Sequence, residues 1–171
     1  MLLTGLLPDI TTDPAIETAT DSVEAGRSGT IVAPVGIRPP LLAAVASRAA
    51  TPLVVLTATG RDAESLTNAL ASWIPGVAML PAWETLPHER LSPQVDTMAR
   101  RIAVLRRLVH PIKGDDSAGP LSVLVVPIRA FLQPIISGLA DLEPVRVRTG
   151  DILDLTETTN RLAELGYERV D

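Results

Sequence analysis

The sequence predicts an α/β protein: a parallel sheet with helices on both faces, followed by the start of a second, small α+β domain. Two observations carry the first part. Short, unbroken apolar runs occur at residues 30–33 (TIVA), 53–56 (LVVL), 77–80 (VAML) and 121–126 (LSVLVV). Unbroken rather than alternating hydrophobicity belongs to strands buried on both faces, as in parallel sheets. Between the runs stand segments whose apolar residues recur with the helical period. Alternation of this kind yields right-handed crossovers and a layered α/β domain. The third observation is a change of character after Leu139, where 145–148 alternates Val145, Arg146, Val147, Arg148 as a half-exposed strand does.

Taken in order, residues 1–29 form an acidic lead-in. Asp9, Asp13, Glu17, Asp21 and Glu24 are unopposed until Arg27. Two readings stand for it: a helix starting at Asp13-Pro14 that packs Ile16 and Val23, or a solvated, partly mobile segment. Residues 30–140 form the α/β domain. Its first strand, 30–33, leads through Pro34-Val35-Gly36 to a helix over 39–49. The second strand enters from Pro52 and precedes a helix over 62–72, with Ala63, Leu66, Ala69, Leu70 and Trp73 on one side. The third strand, 77–80, runs into a Pro-punctuated loop and a long helix. A Gly/Asp/Pro loop over 113–120 separates that helix from the fourth strand, and a short helix over 128–137 follows despite Pro134.

The long helix is expected to start at Ser92-Pro93, a hydroxyl N-cap followed by the residue best suited to the first helical position. Val95, Met98, Ile102, Leu105 and Val109 supply its buried stripe. Arg100 and Arg107 fall on the opposite face, with Arg101 and Arg106 on the flanks. Asp96 near the start and Arg106 and Arg107 near the end suit the helix dipole. Residues 141–171 open the second domain, with an Asp154/Glu157 capping box, Leu155, Leu162 and Leu165 on one helix face and Gly166 as the stop. One helix and two short strands make a poor independent core, so this part is expected to be the start of a domain that continues elsewhere.

Composition narrows the function. The 171 residues are 46% hydrophobic but only 2% aromatic, so the core rests on aliphatic contacts. A net charge of −5 argues weakly against nucleic-acid binding driven by overall charge. With no cysteine there is neither a disulfide framework, nor a thiolate metal site, nor a Cys nucleophile. Apolar runs fall short of the ~18 residues of a membrane helix, and the start MLLTGLLPDI lacks the basic region of a signal peptide. A soluble cytoplasmic protein is the expectation.

One string is distinctive: Trp83, Glu84, Thr85, Leu86, Pro87, then Leu91, Ser92, Pro93, then Asp96 and Arg101 ahead of a Leu-rich helix. It resembles the N-terminal module of bacterial transcription-repair coupling factors, and the resemblance runs from about residue 30 to 171. That module in turn is similar to the first domains of UvrB, the damage-verifying subunit of nucleotide excision repair. The resemblance implies a RecA-like first domain and a second domain that recruits UvrA by mimicking UvrB. It also implies that RNA polymerase, double-stranded DNA and ATP engage other parts of a larger protein, a DNA translocase whose motor lies outside this chain.

The residues bear on this independently. In RecA-like ATPases the first strand-to-helix turn is Gly-rich and ends in Gly-Lys-Ser/Thr, whose backbone N–H groups, ammonium and hydroxyl hold phosphate and magnesium. Here the turn is Ala33-Pro34-Val35-Gly36-Ile37-Arg38-Pro39-Pro40. Each proline lacks an N–H, and no Lys precedes a Ser or Thr. The position thus reads as a degenerate P-loop without cofactor; Arg38 could meet an anion, but a solvated surface arginine is the preferred reading. No catalytic residue is expected. His88 and His110 have no partner at metal-ligand spacing, and Glu84 with Glu89 reads as loop capping rather than an acid–base pair. Arg100, Arg101, Arg106 and Arg107 could make weak polyanion contacts, against a preferred reading as a solvated helix face. Trp83 is expected to hold its loop to the domain rather than to anchor a partner. Two functions remain: the interaction module, favoured, and a nucleotide-dependent helicase or nuclease domain of UvrB type.

Overall fold

The computed structural model describes residues 3–84, 94–145, 147 and 149–164. Its centre is a three-stranded parallel sheet: β1 (Leu53–Thr57), β2 (Val77–Met79) and β3 (Val123–Pro127), in the order β1-β3-β2. The register pairs Leu53 and Val77 with Val123, and Val54 and Ala78 with Leu124. Partners across a parallel ladder point to the same face, so the register sorts the side chains into two layers. β3, the most β-branched run, is buried from end to end and takes the central place.

One layer consists of Leu53, Val55, Val123, Val125, Val77 and Met79, and α3 (Arg38–Arg48) and α4 (Gly60–Leu70) cover it. The helices close in through Ala43, Ala46 and Ala63, small residues that allow near approach, and through the fully buried Leu70, with Leu66 and Trp73 packed at the margin. The Thr59 hydroxyl caps α4 by accepting from the Asp62 N–H at 3.1 Å. The other layer consists of Val54, Leu56, Leu124, Val126 and Ala78; α5 (Val95–Val109) and the short α6 (Ile128–Phe131) cover its Leu124, Val126 and Ala78 through Val104, Leu105 and Ala130. The predicted α/β class, with helices on both faces of a parallel sheet, is what the chain forms.

The turn before β2 depends on Gly76. Its φ of +74° lies in the left-handed region, and an added Cβ would sit 2.8 Å from the Pro120 carbonyl oxygen. That close approach lets the Gly76 carbonyl accept from the N–H groups of Ser122 and Val123, at 2.8 and 3.2 Å. β2 and β3 are thereby locked at their starts.

The acidic lead-in is helical: α1 (Leu7–Thr11) and α2 (Pro14–Glu24) pack on α3. Asp13 caps α2, accepting from Ala15 and Ile16. Its fully buried residue is Thr20, 2% exposed; of the two expected packing residues Ile16 is half-buried, whereas Val23 faces solvent. Two of the acidic charges, Asp21 and Glu24, are opposed by Arg48 of α3, which also donates to the Thr20 hydroxyl. The hydrogen bond to Glu24 is the chief cause that raises the Arg48 guanidinium pKa; desolvation opposes it, and Asp21 adds a lesser raising effect.

Several expectations are corrected. Residues 30–33 form no strand; Val32 is 95% exposed, and an apolar run without a neighbouring strand has no ladder to join. The helix after β3 ends at Phe131 instead of 137, because Pro134 disfavours helical backbone at Gln133 and supplies no N–H. Val145 and Val147 lie in no strand, and Arg146 and Arg148 are outside the described residues. The last helix, α7 (Leu155–Glu164), is capped as expected, with the Asp154 carboxylate accepting from Glu157 N–H at 2.9 Å. Leu155 is 80% exposed, however, and Leu165 and Gly166 are outside the described residues. No helix among the described residues is long and apolar enough to cross a membrane.

Candidate functional site

The chain leaves β2 at Leu80, which still donates to the Val125 carbonyl at 3.0 Å, and turns through Pro81, Ala82, Trp83 and Glu84 towards α5. Four groups hold this corner. The Arg101 guanidinium donates to the Pro81 carbonyl at 2.6 Å and lies over the Trp83 ring, 4.5 Å from its centroid. Thr97, one helical turn before Arg101, donates its hydroxyl to the Glu84 carboxylate. Gln133, beyond α6, accepts from Trp83 N–H at 2.8 Å and returns a weaker bond from its amide nitrogen to the Trp83 carbonyl at 3.4 Å. Arg129 reaches the Glu84 carbonyl at 3.3 Å. The loop after β2 is thus tied to α5 and to α6 and its exit, and Trp83, half-buried, holds the loop to the domain as its sequence position suggests.

Arg101 has the most unusual environment. It is 0% exposed and is the largest fully buried side chain among those described. Its Nε and the second terminal nitrogen have no hydrogen-bond partner among the described residues. Desolvation accordingly lowers its pKa from the usual arginine value. The placement of Arg101 on the flank of a wet face is therefore overturned. The buried stripe of α5 is Thr97, Arg101, Val104 and Leu105, rotated roughly a quarter turn from the expected one. Of the expected stripe, only Leu105 is fully buried, while Val95 is 67% and Val109 58% exposed. The physical reason is the corner itself: the face turned to the sheet must also meet a carbonyl, a carboxylate and an indole ring, which Thr and Arg can do and Val and Ile cannot.

The other arginines of α5 have separate tasks. Arg100 is exposed and pairs with Asp96 at 2.9 Å, one turn earlier. Arg106 donates to the Leu142 carbonyl at 3.2 Å, and Arg107 to the Gly119 carbonyl at 2.8 Å. Both clamp neighbouring loops by capping carbonyls. Asp96 in the first turn and Arg106 and Arg107 in the last complement the helix dipole as expected. The residue flanking the helix start is Gln94, without a side-chain cap. The anticipated start at Ser92 and Pro93 lies outside the described residues, as do Thr85, Leu86, Pro87, His88, Glu89 and Leu91.

Glu84 is held below the usual carboxylate pKa, chiefly by the Thr97 hydroxyl and then by backbone N–H. His110 pairs with Asp141 at 2.7 Å, and no group of three or more metal-ligating side chains occurs among the described residues. Thr97, Arg129 and Gln133 were not legible as corner residues. Thr97 and Arg101 do stand at the i,i+4 spacing of one face, shared with Leu105, which is a usable signal. Gln133 has none, since it meets Trp83 across 50 positions.

The turn before α3 has a definite geometry. A single 3₁₀ turn, Val35–Ile37, precedes the helix, and Ile37 N–H bonds back to the Pro34 carbonyl at 3.0 Å. Arg38 N–H bonds to the Val35 carbonyl, and the next two helical positions are Pro39 and Pro40, which have none. Arg38 is exposed, and Pro40 is buried among the core residues of α3.

These features define an α/β unit with one polar, Trp-centred corner where the third of its apolar runs meets its longest helix. No protein-family model matches the chain. Curated relatives do: the transcription-repair-coupling factors of Mycobacterium bovis and Mycobacterium tuberculosis are each 46% identical to it over 145 residues, 83% of this chain. The transcription-repair-coupling factor of Escherichia coli is 26% identical over 133 residues, 77% of this chain. The chain spans 11% of the length of these relatives. Over most of its own length it is a relative of transcription-repair coupling factors, as the string from Trp83 to Pro93 implies.

Proposed function

We propose that these residues form the UvrB-like N-terminal interaction module of a transcription-repair coupling factor, acting in the cytoplasm, and that the module contributes to nucleotide excision repair by recruiting UvrA. In this reading residues 30–140 form a RecA-like first domain, and 141–171 begin the second, UvrA-contacting domain. RNA polymerase, double-stranded DNA and ATP are engaged by other parts of the larger protein. The observation that supports a non-enzymatic role is the turn before α3. A phosphate-binding helix start aims free backbone N–H groups at the anion. Here the Arg38 N–H is spent on a carbonyl, and Pro39 and Pro40 have none to offer.

Two measurements test the two halves of the reading. Mg-ATP and Mg-ADP at millimolar concentration should leave the melting temperature unchanged, because a ligand stabilises only what it binds, by ~2.7 kcal/mol at a hundredfold excess over its dissociation constant. A saturable rise would favour a nucleotide-dependent domain of UvrB type instead. For the partner, interfaces draw their energy from a few central anchors. UvrA should therefore bind this chain at least ~100-fold more weakly than a version extended through the whole second domain, or roughly 2.7 kcal/mol. Equal affinity would place the contact within residues 30–171 and refute its placement in the part of the second domain beyond residue 171.

A further inference from the structure

We propose that the outer edge of β1, with the apolar side chains beside it, is the seat of a further β-strand and its apolar cover, contributed by polypeptide of the same protein outside these residues. β1 pairs with β3 on one side and with no strand among the described residues on the other. On the α5–α6 face, Leu124 and Val126 of β3 are 5% and 2% exposed. Their ladder partners Val54 and Leu56 lie in the same layer, yet are 51% and 48% exposed. The helical layer on this face therefore stops one strand short of the sheet. Beside the gap lies α6, which contacts β1 and leaves Phe131 57% and Leu132 75% exposed.

The opposite edge differs. On β2, Ala78 is buried and Val77 and Met79 are half-buried, so that edge has its cover. The chemistry of β1 also argues that it is an interior strand. Sheets protect true edges with Lys, Pro, bulges or short strands, because bare edges pair with whatever is near. Leu53–Thr57 reads LVVLT, with no charge and no proline, and strands of a purely parallel sheet are normally covered on both faces.

The occupant follows from length and from tethering. The relatives that this chain matches are far longer, since it spans 11% of them. A five-residue edge with a few flanking side chains is small beside the ~800 Å² per partner of a stable complex, which disfavours a second copy. A tethered segment needs no such area, because its effective concentration is on the order of millimolar. Residues 30–33 of this chain are likewise an apolar run that pairs with no strand among the described residues. None of this depends on UvrA.

The chain has no cysteine, so Leu56→Cys places a single thiol on the gap. Its maleimide labelling, read by peptide mass, is compared with the same protein in urea. In the 171-residue chain the native rate should lie within about tenfold of the unfolded rate. In the longer protein carrying these residues it should be at least ~100-fold slower than unfolded. Labelling of the longer protein within tenfold of the unfolded rate overturns the proposal. So does protection in the short chain that deepens with its concentration, which would mean that a second copy fills the gap. Hydrogen exchange on the unsubstituted proteins gives an independent reading. Amides of β1 should gain about a hundredfold protection in the longer protein, more than those of β3. Equal protection of β1 in both proteins overturns it as well.

Discussion

Replacing Arg101 separates what a buried side chain contributes by shape from what it contributes by charge. Three favourable terms attach to the guanidinium. Its bond to the Pro81 carbonyl, charge-assisted, is of the class worth ~1.5–3 kcal/mol. Its position over Trp83, away from water, adds up to ~2 kcal/mol. Its aliphatic stem fills space beside Val104 and Leu105 in the buried stripe. Against these stands the desolvation of a full charge with two nitrogens unpartnered, which costs several kcal/mol in proteins even after relaxation. The lowered pKa has the same origin.

The charge terms are thus close to balance, and the stem is what remains. Arg101→Met keeps most of the volume and removes the desolvation cost, so its stability should fall within ~1–2 kcal/mol of the parent. Arg101→Ala opens a cavity as well and should cost ~3–5 kcal/mol. Urea denaturation followed by circular dichroism measures both differences. The reasoning fails if Met proves as costly as Ala. That outcome would mean the charge is indispensable and answered by an acidic group not among the described residues.

Three further outcomes are expected. Gly76→Ala forces a side chain into a left-handed turn 2.8 Å from the Pro120 oxygen and should cost at least ~2 kcal/mol, seen as a lower urea midpoint with unchanged slope. Thr97→Val removes the chief cause of the lowered Glu84 pKa. A carboxylate with a depressed folded-state pKa stabilises above its unfolded pKa and loses that contribution as pH falls through the folded value. Parent and Thr97→Val should therefore differ in stability at pH 7 and converge in acid below the usual glutamate range, measured by urea titrations across that range. Arg48→Ala should speed amide exchange in α2 about tenfold or more while leaving β3 unchanged, because the Arg48 contacts join α2 to α3 and not to the sheet.

The elements that were legible in the sequence answer to their own residues. Val123, Leu124, Val125 and Val126 form a central strand because an unbroken β-branched run can be satisfied only between two covered faces. Ala63, Leu66, Leu70 and Trp73 mark the packed side of α4 by spacing alone. Asp154 and Glu157 announce their helix start by capping chemistry. The α2 helix was half-legible: Asp13-Pro14 signals a start, but its partner Arg48 is 24 positions from Glu24. The helix start before α3 was legible as a turn that cannot aim N–H groups outward, because proline carries that information in its covalent structure.

The two larger misreadings have one cause. Val95, Met98, Ile102 and Val109 make the more hydrophobic stripe of α5, yet the helix buries Thr97 and Arg101 instead. Residues 30–33 are as apolar as β1, yet only one of the two pairs in the sheet. Local hydrophobicity states what a segment can bury, whereas the surroundings decide what it does bury. At α5 the deciding neighbours are polar: the Pro81 carbonyl, the Glu84 carboxylate and the Trp83 ring all require donors or a cation, and a face of Val and Ile would leave them unmet. At 30–33 no strand among the described residues pairs with the run, and none pairs with the outer edge of β1 beside the exposed Val54 and Leu56. The polar corner is complete enough to override the apolar pattern, and the apolar edge is left without a partner of its own kind. The corner is therefore the part of this fold whose packing its own described residues explain, and, on the proposal above, the edge is the part whose stability should respond to the rest of the protein.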